Sequence, residues 1–516
     1  MSEVVSYNRE GNIGVITVNY PPVNALGQAV RSGLLAALEQ GQKDAEAKAL
    51  LLVCEGRTFI AGADIREFGK PMQEPTLPTL VNTFENSDKP LVAAIHGTAL
   101  GGGLETALSC HYRVAVSSAK VGLPEVKLGL LPGAGGTQRL PRLTGAQKAL
   151  EMITTGEFVG AKDALALGIL DAVEEGDNIR AIGMAYAQKV VDEGKPVRRV
   201  RDITDKIEAD KGSDVFDQFR DELKKRARGL FSPFKCVDAV EAAFNLPFGE
   251  GMKRERELFM ECMESPQRAG LIHSFFGERE VSKVKGLPKD TPVRDVKSVG
   301  IIGAGTMGGG IAMNFVNVGI PVTIVEVKQE ALDKGLAIIR RNYENSAKKG
   351  KLTQEQVEQR MALITPSLTY DDFRDVDLVI EAVFENMAIK KEIFAKLDEV
   401  CKPGAILASN TSTLDIDEIA SATKRPEDVV GMHFFSPANV MKLLENVRGS
   451  KTSDEVKATV MAVAKKIKKV GVMVGNCYGF VGNRMLHKRG TEAMSLVDEG
   501  ATPQQVDKVL TDLGFP

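Results

Sequence analysis

Hydrophobic and polar positions follow two periods along this chain. Residues 4–19 alternate at every second position, as a pair of strands does, and Pro21-Pro22 then leads into a helical period over 28–41. Continuous apolar runs at 49–54, 90–95 and 112–116 read as buried strands, and glycine turns (Gly62-Ala63, then Gly101-Gly102-Gly103) follow the first two. Helical periods continue to about residue 195. Residues 197–290 are charged and helical, with one apolar face (Phe234, Val237, Val240, Ala243, Phe244) wide enough to pack on a neighbouring domain. Beyond a Gly/Pro boundary at 286–292 the pattern becomes strand–helix alternation, with strands expected at 299–302, 322–325, 376–381, 405–409, 429–433 and 470–474. One full helix from Asn483 to about Glu499 and a second short one end the chain. The pattern predicts an α/β protein of four parts: 1–196, a helical linker 197–296, a doubly wound domain 297–475, and a helical segment 476–516.

The most specific stretch opens the third part. An apolar run breaks at Gly303, and Gly305 and Gly308 complete G-x-G-x-x-G before a helical pattern that Gly319 ends. Gly303 permits the tight turn, Gly305 lets backbone approach a pyrophosphate, and Gly308 lets helix pack on strand. The helix N-terminus offers unpaired N–H groups to phosphate. Glu326, closing the next strand 23 residues after Gly303, is placed to bind a ribose 2′-hydroxyl and repel a 2′-phosphate. NAD is therefore the expected cofactor.

Composition narrows the remaining classes. A chain of 516 residues holds several domains. Its net charge of −3, with both signs interspersed, argues against a nucleic-acid or membrane surface. The six cysteines are scattered without C-x-x-C, as expected for reduced thiols, and no metal-ligand pattern is seen. No run approaches the ~18 apolar residues of a membrane span, and no signal peptide is visible. The expected location is bacterial cytosol or peroxisome rather than outside the cell.

Two glutamates in the first part could share acid and base work around one water: Glu105 in a first helical turn and Glu125 after Pro124. The glycine turns could aim two N–H groups at one oxygen. Taken singly, a first-turn Glu also suits a solvated surface, and a glycine cluster also suits a simple turn. Their order decides more. Phe59-Ile-Ala-Gly-Ala-Asp-Ile65, His96-Gly-x-x-x-Gly-Gly-Gly-x-Glu105 and Pro124-Glu125-x-x-x-Gly-x-x-Pro-Gly-Ala-Gly-Gly-Thr-Gln-Arg-Leu140 together resemble the crotonase (enoyl-CoA hydratase/isomerase) family. The resemblance implies a spiral of ββα turns and an acyl-CoA substrate. It implies that the Ala63 and Gly102 amides hold the thioester oxygen, Glu105 activates water, and Glu125 exchanges the proton at C2. The linker similarly looks like that of multifunctional β-oxidation enzymes.

In the second half, His433 ends an expected strand, Glu445 falls on what reads as a helical pattern (Met441, Leu443, Leu444), and Asn483 lies in Gly479-Phe-Val-Gly-Asn-Arg484. A histidine oriented by a carboxylate is a competent base near neutral pH. The glycine motif, Glu381–Lys390, Ser409-Asn-Thr-Ser412, His433-Phe-Phe-Ser-Pro…Glu445 and Cys477–Arg484 resemble 3-hydroxyacyl-CoA dehydrogenase. Carried over, His433 takes the hydroxyl proton, Glu445 orients it, Ser412 and Asn483 hold the substrate oxygen, and Met307, Glu385 and Lys390 line the cofactor. Members of that family continue past Gly514-Phe-Pro with further helices, so residues 476–516 are expected to be the truncated start of a C-terminal domain. The reading is a bifunctional enzyme that hydrates 2-enoyl-CoA and oxidises the product. Its alternatives are a chain with only the hydratase/isomerase half active, and a CoA- and nucleotide-binding scaffold that docks a thiolase.

Overall fold

In a computed structural model, residues 4–67, 70–71 and 73–515 are described; the outermost residues of the expected first and last parts, 1–3 and 516, lie outside them. The chain divides into two compact units, one running to Phe275 and rejoined from Thr511, the other Phe276–Leu510.

The first unit is built on a six-stranded sheet. Its antiparallel edge pair, Val5–Glu10 and Ile13–Val18, realises the alternation at 4–19. The sheet continues in parallel through Ala49–Cys54, Leu91–Ile95, Tyr112–Val116 and Ala172–Glu174. The two apolar runs beside the edge pair have every residue buried, which is why they show no alternation. A second sheet holds Thr98–Leu100, Lys120–Gly122 and Val159–Gly160, the first two directly after the first-sheet strands Leu91–Ile95 and Tyr112–Val116. Two turns of chain thus lay one strand in each sheet before a helix, as expected of a spiral of ββα units. The expected apolar face of the linker is also real. Val237, Val240, Ala243 and Phe244, on helix Ser232–Asn245, are at most 3% exposed and belong to the core of this unit.

The second unit is an eight-stranded sheet in the order Ile364–Ser367, Val322–Val325, Val299–Ile302, Leu378–Glu381, Ile406–Ser409, Val429–Phe434, Leu443–Arg448, Val470–Gly475. The first six are parallel and doubly wound, with the order reversing beside Val299–Ile302, where ligands of such sheets bind. Alternate strand residues serve opposite faces. Ile301, Ile380 and Ala408 pack with Ile311, Phe315 and Val460; Ile302, Val379 and Leu407 pack with Phe394, Leu397 and Ile419.

One expectation fails here. Glu445 is not on a helix but on the strand Leu443–Arg448, antiparallel to Val429–Phe434. The strand is nearly buried throughout, so its apolar residues come without the period-2 signature, and Met441, Leu443 and Leu444 mimic a helical spacing.

A fully buried ion pair joins two elements of this sheet. Lys390 Nζ, from helix Met387–Val400, reaches Glu381 Oε1 at 2.7 Å and Oε2 at 2.9 Å at the end of its strand, and neither side chain is more than 1% exposed. Removing the cation alone leaves a buried carboxylate uncompensated. Lys390→Met should therefore cost about 3–5 kcal/mol of stability, and the double variant with Glu381→Leu should recover much of it. Denaturant unfolding of the two variants reads this directly; equal losses from single and double variants would contradict it.

Candidate functional site

Two sites emerge, one in each unit. In the first, helix Gly102–Ser109 is buried over its whole length, and Glu105 is 2% exposed on its first turn. Glu105 Oε1 accepts the N–H groups of Ala134 and Gly136, each at 2.8 Å. Glu125 begins a short 3₁₀ turn, Glu125–Leu128, and its buried Oε2 finds no hydrogen-bond partner among the described residues. Gly101 must be glycine: its φ is +53°, and a Cβ there would lie 2.8 Å from Glu125 Oε1. The same turn brings the expected amides together, since a Cβ on Gly102 would come 3.5 Å from the Ala63 nitrogen. Gly102 opens its helix, where an N–H has no intrahelical acceptor. Ala63, Gly102, Glu105 and Glu125 line one cavity of about 410 Å³, walled by Leu26 and Phe259 among others.

Electrostatics separate the two carboxyls. Burial pushes both above the ordinary carboxylate range. For Glu105, the two N–H donors and the nearby Arg139 guanidinium oppose that rise. Glu125, pushed well up by burial, is raised further by the charge of Glu105. A single proton shared by the pair therefore rests on Glu125.

A third carboxylate was not foreseen. Glu255, on helix Phe248–Glu264, is 1% exposed and accepts Gly135 N–H at 2.7 Å and both N–H and Oγ1–H of Thr137. In the sequence it stands between two arginines in a charged stretch, which reads as surface. Its one distinguishing signal is a shared helical face with Leu258 and Cys262, both buried. The glycines of the 132–140 motif also find their reason here. Gly135, at φ +95°, lies against Arg139, whose Nη2 pairs with fully buried Glu85 Oε2 at 2.6 Å.

In the second unit the glycine turn forms as expected. Gly303 has φ +99°, and a Cβ on Gly308 would sit 1.8 Å from the Gly303 carbonyl oxygen, so helix and strand touch there. A Cβ on Gly305 would meet nothing within 4 Å, which leaves open space before helix Thr306–Val316 and fits a pyrophosphate. Met307 is half-buried beside it. Glu326 is fixed at this turn, its Oε2 accepting Ala304 N–H at 3.0 Å and its Oε1 that of Val327 at 2.8 Å.

His433 and Glu445 are direct cross-strand partners, with Nδ1 2.8 Å from Glu445 Oε2. Both are at most 5% exposed. Phe435 and Phe480 lie against the imidazole, with ring centroids at 4.4 and 5.7 Å. Burial alone would raise Glu445, but the His433 bond and the N–H groups of Gly482 and Val481, on its Oε1, hold it below the usual carboxylate range. A carboxylate only accepts, so Nδ1 carries a proton, and in the neutral ring the lone pair is then on Nε2. Ser412 and Asn483 adjoin one another, Asn483 Nδ2 donating to Ser412 O at 3.4 Å. Glu385 does not stand free for a ligand: its Oε1 gathers Thr411 Oγ1, the N–H and hydroxyl of Ser412, and the N–H of Thr413. Lys390 is committed chiefly to Glu381, with Glu385 at 3.5 Å.

Residues 8–226 match the enoyl-CoA hydratase/isomerase family, and residues 298–477 the NAD-binding domain of 3-hydroxyacyl-CoA dehydrogenase. The peroxisomal bifunctional enzyme of Danio rerio is 47% identical over 512 residues, which cover 98% of this chain and 70% of that protein. The chain belongs to this family of bifunctional β-oxidation enzymes. The human enzyme of the same name is 43% identical over 519 residues, 99% of this chain and 71% of its own length. The Arabidopsis thaliana peroxisomal fatty acid beta-oxidation multifunctional protein MFP2 is 40% identical over 515 residues, 98% and 71%. Residues 479–516, within the segment expected as the start of a C-terminal domain, match the C-terminal domain of 3-hydroxyacyl-CoA dehydrogenase. Among the described residues no helix is long and apolar enough to cross a membrane.

The fixed Glu326 carboxylate leads to a binding prediction. NAD should bind well ahead of NADP, and Glu326→Ala should weaken NAD binding by about 10-fold or more, the worth of a hydrogen bond to a charged group, while NADP changes little. Fluorescence titration with NADH and NADPH measures this. Equal wild-type affinities would remove Glu326 from the ribose site.

Proposed function

We propose that the chain hydrates 2-enoyl-CoA in its first unit and oxidises 3-hydroxyacyl-CoA with NAD in its second. The observation that carries the first activity is the single cavity lined by Ala63, Gly102, Glu105 and Glu125. In the hydration reading, ionised Glu105 takes a proton from water as its oxygen attacks C3. Glu125, which holds the shared proton, delivers it to C2. The Ala63 and Gly102 amides receive the charge that develops on the thioester oxygen, each worth about 3–4 kcal/mol in such sites. Run without water, the same proton exchange at C2 is the first half of an isomerisation of 3-enoyl-CoA.

In the oxidation reading, His433 Nε2 takes the proton of the 3-hydroxyl, and Glu445 stabilises the imidazolium through Nδ1. Asn483 and Ser412 hold the substrate oxygen. NAD supplies the hydride acceptor; Gly303, Gly305 and Gly308 would hold its pyrophosphate and Glu326 its ribose. Glu385 acts on this site through the Ser412 turn, and Lys390 backs Glu385. The relatives' names support a peroxisomal location. The intact carboxylate pair and the His433–Glu445 pair favour two activities over a half-active chain or a scaffold for a thiolase.

Glu105→Ala or Glu125→Ala should lower hydration of crotonyl-CoA at least ~100-fold, non-additively, and leave oxidation of supplied 3-hydroxyacyl-CoA unchanged. Wild-type hydration in both variants would overturn the assignment. The pH profile gives a second check. Glu125 must carry a proton to serve C2 and its pKa is raised, so wild-type hydration should persist far above the ordinary carboxylate range and fall as pH rises through that raised value. A rate already lost on the alkaline side of pH ~5, near the reference carboxyl value, would assign the acid elsewhere.

A further inference from the structure

The turn 134–137 gives its main-chain N–H groups alternately to two carboxylates. Ala134 and Gly136 donate to Glu105, at 2.8 Å each. Gly135 and Thr137, interleaved with them, donate to Glu255 at 2.7 and 3.1 Å, and the Thr137 hydroxyl adds a third bond. We propose that Glu255 is a positioning residue of the hydration site, fixing through Gly135 and Thr137 the amides that orient Glu105. This rests on the hydratase reading given above.

Three physical points carry it. The turn is the N-terminus of helix Gly136–Thr144, and it is buried, so its unpaired donors must find protein acceptors. Four consecutive N–H groups of one turn cannot move independently; releasing Gly135 and Thr137 rotates the peptide planes that hold Ala134 and Gly136. Glu105 has no cation in hydrogen-bond contact among its described partners, so those two amides set where its oxygen sits relative to Glu125. Burial and the neighbouring Glu105 charge push Glu255 up to about 8, which shows how closely the two carboxyls share one environment. The thread back from Thr137 is continuous as well. Gln138 Nε2 bridges Thr137 Oγ1 and the Ala239 carbonyl of helix Ser232–Asn245, at 2.9 and 2.8 Å. The hydration site is therefore completed by residues beyond 196, from the segment expected as a linker.

The test is steady-state hydration of crotonyl-CoA by the full chain carrying Glu255→Gln, with Glu105→Gln and wild type alongside. The expected result is a kcat lowered about 10- to 100-fold, as for a misplacement of about 1 Å, with KM within threefold and NAD-linked oxidation by the same preparation unchanged. Wild-type kcat, or a raised KM with kcat intact, would overturn the proposal and leave Glu255 a packing residue. Should Glu255→Gln also lose oxidation or melt early, Thr137→Val decides, because it keeps the Thr137 amide and removes only the hydroxyl, with the bond to Glu255 and the one accepted from Gln138. A lower kcat at constant KM then supports the proposal, and an unchanged kcat overturns it. If Glu105→Gln itself hydrates normally, the hydratase reading fails. If Glu105→Gln is inactive while the Glu255 and Thr137 variants are normal, only the positioning role fails.

Discussion

A carboxylate taken out of water without a cation must be met by N–H or O–H donors, or it takes up a proton. The candidate sites of both units are arranged around that constraint. Glu105 is met by Ala134 and Gly136, Glu255 by Gly135 and Thr137, Glu326 by Ala304 and Val327, Glu385 by Ser412 and Thr413, and Glu445 by Val481 and Gly482. In every case main-chain amides in a turn or at the start of a helix are among the donors. Such donors come with the fold and lose no side-chain entropy on engaging. They also point in directions the turn dictates, so the carboxylate inherits the precision of the backbone. The glycines supply those turns. Glycine in the crotonase-like motif and in the dinucleotide motif thus serves one end, close approach of backbone to a charged oxygen.

Legibility from sequence followed the same division. Turns whose chemistry is written in consecutive residues were readable: Gly303–Gly308, Gly101–Gly103 and the 132–140 motif all form where expected. Most of the parallel strands were readable because continuous apolar runs of four to six residues suit burial on both faces; the partly exposed edge strands Ile364–Ser367 and Ala172–Glu174 lack such a run and were missed. Glu445 was assigned to the right pair and the wrong element, because a strand buried on both sides shows no alternation and a few leucines imitate a helix. Glu255 was invisible for a different reason. Its partners lie 118 and 120 residues earlier, and locally only a helical face shared with Leu258 and Cys262 separates this buried Glu from its half-buried arginine neighbours. Lys390 and Glu385 were expected to line the cofactor; their contacts are with Glu381 and the Ser412 turn, which only tertiary structure could reveal.

The two sites solve proton transfer differently, and the difference follows from what surrounds each carboxylate. Glu105 and Glu125 have no histidine among their described hydrogen-bond partners, so in the proposed hydration the pair must itself be split into acid and base. The split is made by unequal hydrogen bonding: two N–H donors on Glu105, an unpartnered Oε2 on Glu125. At His433 the base is an imidazole held against its carboxylate. There the carboxylate is needed only as a fixed negative charge, and three donors keep Glu445 ionised. Exchanging the environments would disable both. A Glu445 deprived of the Val481 and Gly482 amides would rise and leave Nδ1 without an anion. A Glu125 given comparable donors would release the proton that C2 requires. The backbone around each carboxylate, more than the residue itself, determines whether it works as acid, base or anion.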